Sequence, residues 1–438
     1  MNDLRLYAVL GQPVLHSRSP NLFNAAFQAN QIPAHYTRLL APTAAAGLRL
    51  ATDVGFRGLN VTTPFKEAIM QSLDRVDLTA RRIGAVNTLL RNGRRWAGFN
   101  TDWIGATGAL TRHGVPIAGR TALVLGAGGA GRAAVHGLLA AGAREVWLAN
   151  RTASRAREWA ARLGSRWCTL AEAAARAAGV DIVVDCISDD RAAAEIVHSV
   201  TGDALLRAAY RRGTTAAPPA STVKQVDGLA WLLHQALPAY ELFEMQPAER
   251  ETMAAALLQP PPGGEAHSPR NIALIGFMGA GKTAVGRELS QRLGFTLADL
   301  DAMIESRDGR PIPQIFAEGG EAEFRRRENA ALADAVAGSR QVIACGGGVV
   351  GSAANRDLLG RRTVVVWLWA PLETCLRRVA GTPRPLLAVS DPMSAAQRLA
   401  AERHAAYAAT ARLVVGTDET GPAEVAAQLA AEFRNLWT

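Results

Sequence analysis

Cysteine is scarce: four residues among 438, Cys168, Cys186, Cys345 and Cys375. No two stand in a CxxC spacing, which argues against a disulfide framework and against the common zinc and redox motifs. They read as small buried residues of a protein in a reducing compartment. Long apolar runs are missing too. No stretch reaches the roughly 18 residues that a membrane-spanning helix needs. The opening MNDLRLYAVLG leads directly into a strand pattern, without a signal peptide. These absences predict a cytoplasmic location.

A basic stripe is lacking as well. The chain is basic overall, with a net charge of +9 and a pI of about 10.0. Its arginines are nevertheless scattered. The densest run, Arg325-Arg326-Arg327, sits among Glu321, Glu323 and Glu328. A nucleic-acid face would show continuous basic residues with aromatics between them. Small anionic substrates fit this charge pattern better.

The composition, 49% hydrophobic and 20% charged, is that of globular domains with cores of their own. One linker stands out in LLQPPPGGEAHSPR, which carries four prolines and two glycines and no apolar periodicity. On either side, strands alternate with helices, which implies parallel sheets and an α/β fold. In the first part the strand patterns are LYAVLG, HYTRLL and GLNVTT, then two strands around a turn at Asn92-Gly93. A second series begins at TALVLG. In the second part they are NIALIG, VIACGG, TVVVWLWA and ARLVVG. The expected divisions are 1–105, 106–236, a helical return at 237–256, a linker at 257–269 and a last domain at 270–438.

The segment Gly276-Phe277-Met278-Gly279-Ala280-Gly281-Lys282-Thr283 matches G-x-x-x-x-G-K-[ST] between a strand and a helix. Such a loop turns its backbone N–H groups around phosphate oxygens at a helix N-terminus. Lys282 would reach the β- and γ-phosphates of ATP, and the Thr283 hydroxyl would ligate Mg²⁺. Six ordered motifs extend this reading: GFMGAGKT, DLD at 299–301, EFRRRE at 323–328, Gly346-Gly347-Gly348, PRPLL and ERHAAY.

With these motifs the second part resembles shikimate kinase over nearly all its length. The resemblance implies that Asp301, Arg325, Gly346, Gly347, Gly348 and Arg403 bind a hydroxylated cyclohexene carboxylate. Paired arginines suit the carboxylate, and Asp301 would take the proton of the attacking hydroxyl. It also implies that Gly279 to Ala284 and Arg378 bind the nucleotide, and that Asp299 joins Thr283 at the metal. Arg384 would act from a lid on the transferring phosphoryl group. The chain departs from the family at GTDETGP, residues 416–422, where the family often has a basic residue near the adenine.

The first part carries Gly126-Ala127-Gly128-Gly129-Ala130-Gly131, a G-x-G-x-x-G between strand and helix. The following strand ends in Asn150-Arg151-Thr152, with Arg155 beyond. Cations in place of an acid suit a 2′-phosphate, so NADP is expected rather than NAD. VLGQPVLHSRSP, NVTTPFKE, GAVNTL, FNTDW and NRT lie in order around this loop. Together they resemble shikimate dehydrogenase from residue 6 to about 250. The implied fold is two-lobed, with a Rossmann-type NADP lobe fused to the P-loop kinase domain. Lys66 and Asp102 match the family's catalytic pair. Ser17, Ser19, Asn60, Thr62, Asn87, Tyr210 and Gln235 match substrate ligands, and Gly228 lies on the cofactor side.

The departures cluster where the family flanks the nicotinamide: Asp185 to Asp190, Leu206 to Ala209, Ala230 and Trp231. Two readings stay open. In one, the first part reduces 3-dehydroshikimate and the second phosphorylates the product. In the other, an active kinase carries a non-catalytic, ligand-binding module. A third, a nucleic-acid-dependent NTPase, rests on charge alone.

Overall fold

The structure is a computed structural model, and it describes residues 4–187, 190–210, 222–259, 270–381, 385–387 and 389–437. Among them, no helix is long and apolar enough to cross a membrane. The chain forms two compact units. One comprises Met1–Pro20, Gln31–Phe56 and Gln259–Thr438, the other Asn21–Asn30 and Arg57–Leu258.

The first unit is built on parallel strands in the order Thr296–Asp299, Gln341–Ala344, Ile272–Ile275, Val364–Trp369, Leu413–Gly416, Ala34–Leu40 and Arg5–Leu10. Most strand residues are buried, the edge strand Thr296–Asp299 excepted, which explains the continuous apolar runs: a parallel sheet is covered on both faces. The five strands from beyond residue 270 take the order 2-3-1-4-5. The first of them feeds the phosphate loop and the helix Lys282–Leu293. The strand Leu413–Gly416 would end this sheet with an apolar, unpaired edge. Ala34–Leu40 covers it in parallel, pairing Leu39 with Val414 and Leu40 with Val415. The first two strands of the chain, Arg5–Leu10 and Ala34–Leu40, thus lie in the same unit as the strands from beyond residue 270. The expected linker lies, from Pro260 on, outside the described residues.

In the second unit, six parallel strands run in the order Lys224–Val226, Ala204–Arg207, Ile182–Asp185, Thr121–Leu125, Glu145–Asn150 and Arg166–Thr169. Read from the far end, that is 3-2-1-4-5-6, the order of dinucleotide-binding sheets. Period-2 alternation serves both faces: Ala122 and Val124 enter one core, Leu123 and Leu125 the other. The direction of strand order reverses between Thr121–Leu125 and Ile182–Asp185, and the glycine loop begins there.

The same unit holds a meander in which Thr88–Asn92 pairs antiparallel with Phe56–Val61 and with Arg95–Phe99. Here the hairpin turn is one residue later than expected. Asn92 pairs with Arg95, so Gly93 and Arg94 form the turn. Gly93, at φ 61, takes the left-handed position that a two-residue hairpin demands first. The four cysteines are free; Cys186 is half-buried and the others are buried.

Candidate active sites

In the first unit, Gly276 to Thr283 turns tightly between strand and helix. Gly276 sits at φ 141, and a Cβ there would meet the Leu368 carbonyl at 2.3 Å. Lys282 leads off the helix and donates to the carbonyls of Gly276 and Phe277, both at 2.9 Å. Its ammonium thus already lies over the loop that would wrap a phosphate. The Thr283 hydroxyl donates to Asp299 at 2.7 Å. Asp299 closes its strand and caps the next helix, accepting from the N–H groups of Asp301 and Ala302. Among the described residues, no three His, Cys, Asp or Glu group into a metal cage. Mg²⁺ takes one or two protein oxygens alongside phosphate and water, and the adjacent Thr283 hydroxyl and Asp299 carboxylate are donors of that kind. Arg378 reaches the Gly279 carbonyl at 3.3 Å and both oxygens of Thr417. Thr417 itself donates to the Ala280 carbonyl at 3.0 Å. This threonine was not anticipated, although it is the second residue of the departing GTDETGP stretch. A cleft of about 400 Å³ joins the loop, Asp299, Asp301, Gly346, Arg378 and Thr417.

A second cleft of about 350 Å³ adjoins it and shares Met278, Asp301, Gly346 and Gly347. Arg325 and Arg403 line it with Phe316 and Phe324, an apolar wall beside two cations. Arg325 donates to Glu328 at 2.6 Å and to Glu321 at 2.8 Å. Burial pushes the Glu328 carboxyl above its ordinary range, and Arg325 opposes that push. Arg403 reaches the Gly347 carbonyl at 3.3 Å, which the Tyr407 hydroxyl also contacts. Two of the three glycines leave room for side chains of the cleft. A Cβ at Gly348 would meet Arg325 at 2.2 Å, and one at Gly346 would meet Glu328 at 2.2 Å. Glu328 was missed as a site residue. Its signal was present as the last acid of EFRRRE, one helical turn from Arg325. Arg384 lies outside the described residues.

In the second unit, Lys66 donates to Asp102 at 2.6 Å, with side chains 17% and 3% exposed. The carboxylate is held from several sides. Asn87 donates to its other oxygen at 2.9 Å, and Asn100 accepts from its backbone N–H. Asn87 also bonds Gln235 at 3.1 Å, and Asn60 donates to the Asn87 carbonyl at 3.2 Å. Thr62 and Tyr210 are half-buried. Trp231, one of the departures, is buried and donates its indole N–H to the Asp102 carbonyl at 2.9 Å. It thus braces the helix that carries Asp102.

The glycine loop begins at Gly126, φ 100, where a Cβ would press on the Cys186 carbonyl at 3.1 Å. A Cβ at Gly131 would fall 1.8 Å from the Gly126 carbonyl, whereas Gly128 is exposed with open space beside it. One at Gly129 would sit 3.4 Å from Lys66, so the loop passes close to the proposed proton donor. Asn150 accepts from the Ala127 N–H at 3.1 Å. Arg155 bonds the Ala127 carbonyl and Glu67, while Arg151 and Thr152 are exposed beside it. Glu67 also pairs with Arg132, a fully buried cation stacked 3.9 Å from the Trp159 ring centre. This Glu67–Arg132 pair was not foreseen, because its partners stand 65 residues apart. Gly228 lets its helix approach the carbonyls of Ala208 and Ala209. Ser188 and Asp189 lie outside the described residues.

Ser17 and Ser19 fall in the other compact unit. Both are buried, with their hydroxyls 3.3 Å apart.

Comparison with known proteins points to two families, one for each part of the chain. A family model described as shikimate kinase matches residues 278–434. Two more, the shikimate dehydrogenase substrate binding domain and shikimate / quinate 5-dehydrogenase, match 9–89 and 109–201. The shikimate dehydrogenase (NADP(+)) of Methylobacterium radiotolerans is 42% identical over 260 residues, 53% of this chain and 89% of that protein. The shikimate kinase of Symbiobacterium thermophilum is 45% identical over 162 residues, 36% of this chain and 93% of that one. The chain belongs to both families. The match to the Syntrophobacter fumaroxidans shikimate dehydrogenase, 46% identical, spans 64% of that protein. The crystal structure of the Thermus thermophilus shikimate 5-dehydrogenase, with NADP(H) and shikimate, covers 58% of this chain and 98% of its own, at 33% identity and a TM-score of 0.51. A shikimate dehydrogenase part is therefore followed by a shikimate kinase part. The α/β sheets of both parts are those their families lead one to expect.

Proposed function

We propose that both parts turn over, and in sequence: 3-dehydroshikimate is reduced to shikimate, which is then phosphorylated to shikimate 3-phosphate. Bound NADPH supplies the hydride, and bound Mg²⁺–ATP supplies the phosphoryl group. In the first part, the Lys66 ammonium gives a proton to the carbonyl oxygen as the alkoxide develops. Asp102 holds that ammonium in place, and Asn87 holds Asp102. Asn60, Gln235, Ser17 and Ser19 bind the hydroxyls and carboxylate, with Thr62 and Tyr210 beside them. Asn150, Arg151, Thr152 and Arg155 receive the 2′-phosphate. In the second part, Asp301 takes the proton of the attacking hydroxyl. Arg325 and Arg403 fix the carboxylate, and Lys282 with Arg384 offsets charge on the transferring group. Thr283 and Asp299 face the metal.

The observation that carries this reading is the contact of Lys66 with the buried Asp102 beside the glycine loop. The alternative of a non-catalytic first part is motivated by the altered stretches after Val184 and Leu205. Trp231 weakens that motive, because it supports the Asp102 helix. NADP-dependent oxidation of shikimate by the full chain, without ATP, separates the two readings. Turnover reduced about 10²–10⁴-fold by Lys66→Ala, with kinase activity kept, is expected. A folded, NADP-binding chain without turnover would establish the module instead.

A further inference from the structure

The stretch Val14 to Ser19, which carries the two serines, is anchored by a residue from the opposite end of the chain. Glu432 lies on the helix Pro422–Trp437, inside the stretch matched as shikimate kinase. Its side chain is buried at 2% exposure. Both carboxylate oxygens accept from the Val14 N–H, at 2.9 and 3.1 Å, and one also accepts from the Leu15 N–H at 2.9 Å. Two residues on, Ser17 donates its N–H to the Val14 carbonyl at 3.0 Å and closes a turn. The carbonyl of that same serine accepts from Arg38 at 2.6 Å. Arg38 is itself buried and reaches the Arg412 carbonyl at 3.4 Å. The backbone bearing Ser17 and Ser19 is thus held at one end by a kinase carboxylate and at the other by an arginine that also binds the kinase part. Hydrogen bonds to a buried charged acceptor are among the stronger ones, and removing the acceptor leaves buried donors unmet.

We infer that Glu432 is a positioning residue for the dehydrogenase reaction: a side chain of the kinase part sets the geometry of the dehydrogenase's substrate-binding serines. This rests on the reading that Ser17 and Ser19 bind shikimate. Glu432 touches neither substrate nor cofactor in that reading and acts only through the loop. The first part would then owe some of its substrate affinity to the fusion.

The test uses the full chain and three variants: Glu432→Ala, Glu432→Gln and Ser17→Ala. Shikimate oxidation with NADP gives kcat and both KM values, while kinase activity and thermal stability are followed in parallel. Glu432→Ala is expected to raise the KM for shikimate about tenfold, the size of one lost hydrogen bond to charge. The KM for NADP and the kinase kcat/KM should stay within about twofold. Glu432→Gln keeps the shape and one acceptor oxygen, so it should restore most of the affinity. Ser17→Ala should raise the same KM. If Ser17→Ala raises it and neither Glu432 variant does, the inference falls while the site reading stands. If Ser17→Ala leaves it unmoved, both fall. If Glu432→Gln lowers every rate and the melting temperature together, Glu432 is structural only and the inference is overturned.

Discussion

The two glycine loops of this chain use one backbone device for two tasks. Each follows a buried parallel strand, turns at a glycine of positive φ (Gly126 and Gly276), and enters a helix capped by glycine without a side-chain bond. The difference lies in the first helical residues. The kinase loop continues into Lys282 and Thr283, a cation and a hydroxyl next to Asp299. The dehydrogenase loop continues into Gly129 and Ala130, which leave a bare helix start. Cations stand past the neighbouring strand instead, at Arg151 just beyond its end and at Arg155 in the helix that follows. Backbone N–H groups alone suffice to hold a pyrophosphate. Moving a phosphoryl group also needs charge aimed where the transition state develops it. The roles proposed for the two loops thus differ by two side chains at the helix start.

The sharpest way to break that comparison is Lys282→Ala. It should lower kinase turnover by about 10³-fold or more, on the scale of losing a principal charge-stabilising group, and leave shikimate oxidation unchanged. Parallel assays on one preparation read both. Loss of both activities would mean that Lys282 supports the fold rather than the chemistry. Next in size is Arg155→Ala. If the cations past the neighbouring strand supply what the dehydrogenase loop lacks, the KM for NADP should rise about 10–100-fold, the worth of a charge-assisted bond. The KM for NAD should barely move, because NAD lacks the 2′-phosphate. Equal changes for both nucleotides would assign Arg155 to holding Glu67 instead.

Local signals carried most of what was readable in the sequence. The strand, glycine loop and helix of each part, the DLD turn and Lys66 after Pro64 each lie within a few residues of their context, so periodicity and spacing reveal them. Lysine itself was an unused signal. The chain has three, and two of them, Lys66 and Lys282, stand in the candidate sites while arginine serves nearly everywhere else. That choice has a reason: lysine is a compact charge able to give up a proton, and guanidinium is not. Contacts between distant stretches were illegible. For Glu328 the EFRRRE motif offers a local signal, but its approach to Gly346, 18 positions on, does not show in the sequence. Glu432 reaches residues 417 and 418 positions away. The pairing of Leu413–Gly416 with Ala34–Leu40 likewise follows from an edge that no local pattern announces.

Smaller effects test the backbone half of the comparison. Gly131→Ala places a methyl group 1.8 Å from the Gly126 carbonyl, so the loop must open. A loss of about 1–3 kcal/mol in denaturant unfolding of the dehydrogenase part is expected, the usual cost of overpacking. An unchanged midpoint would mean that the turn yields at no cost.

The finest distinction lies between the two helix-capping glycines. Gly281 sits at φ 93, where a Cβ would meet only Val285, at an unstrained 3.9 Å, but the backbone itself disfavours an L side chain. Gly281→Ala should therefore cost about 1–2 kcal/mol in stability. Gly128 sits at φ −79, and a Cβ there would meet nothing within 4 Å. Alanine is thus compatible with the fold, and Gly128→Ala should leave the unfolding midpoint unchanged. If Gly128 is glycine for any reason, that reason must be something outside the chain that approaches its exposed face. In this loop that is the dinucleotide's phosphates, so the variant should weaken NADP binding a few-fold in a titration while the fold stays intact. A Gly128→Ala chain with unchanged stability and unchanged NADP affinity would remove this position from the cofactor site, and with it the claim that the two loops share one use of glycine.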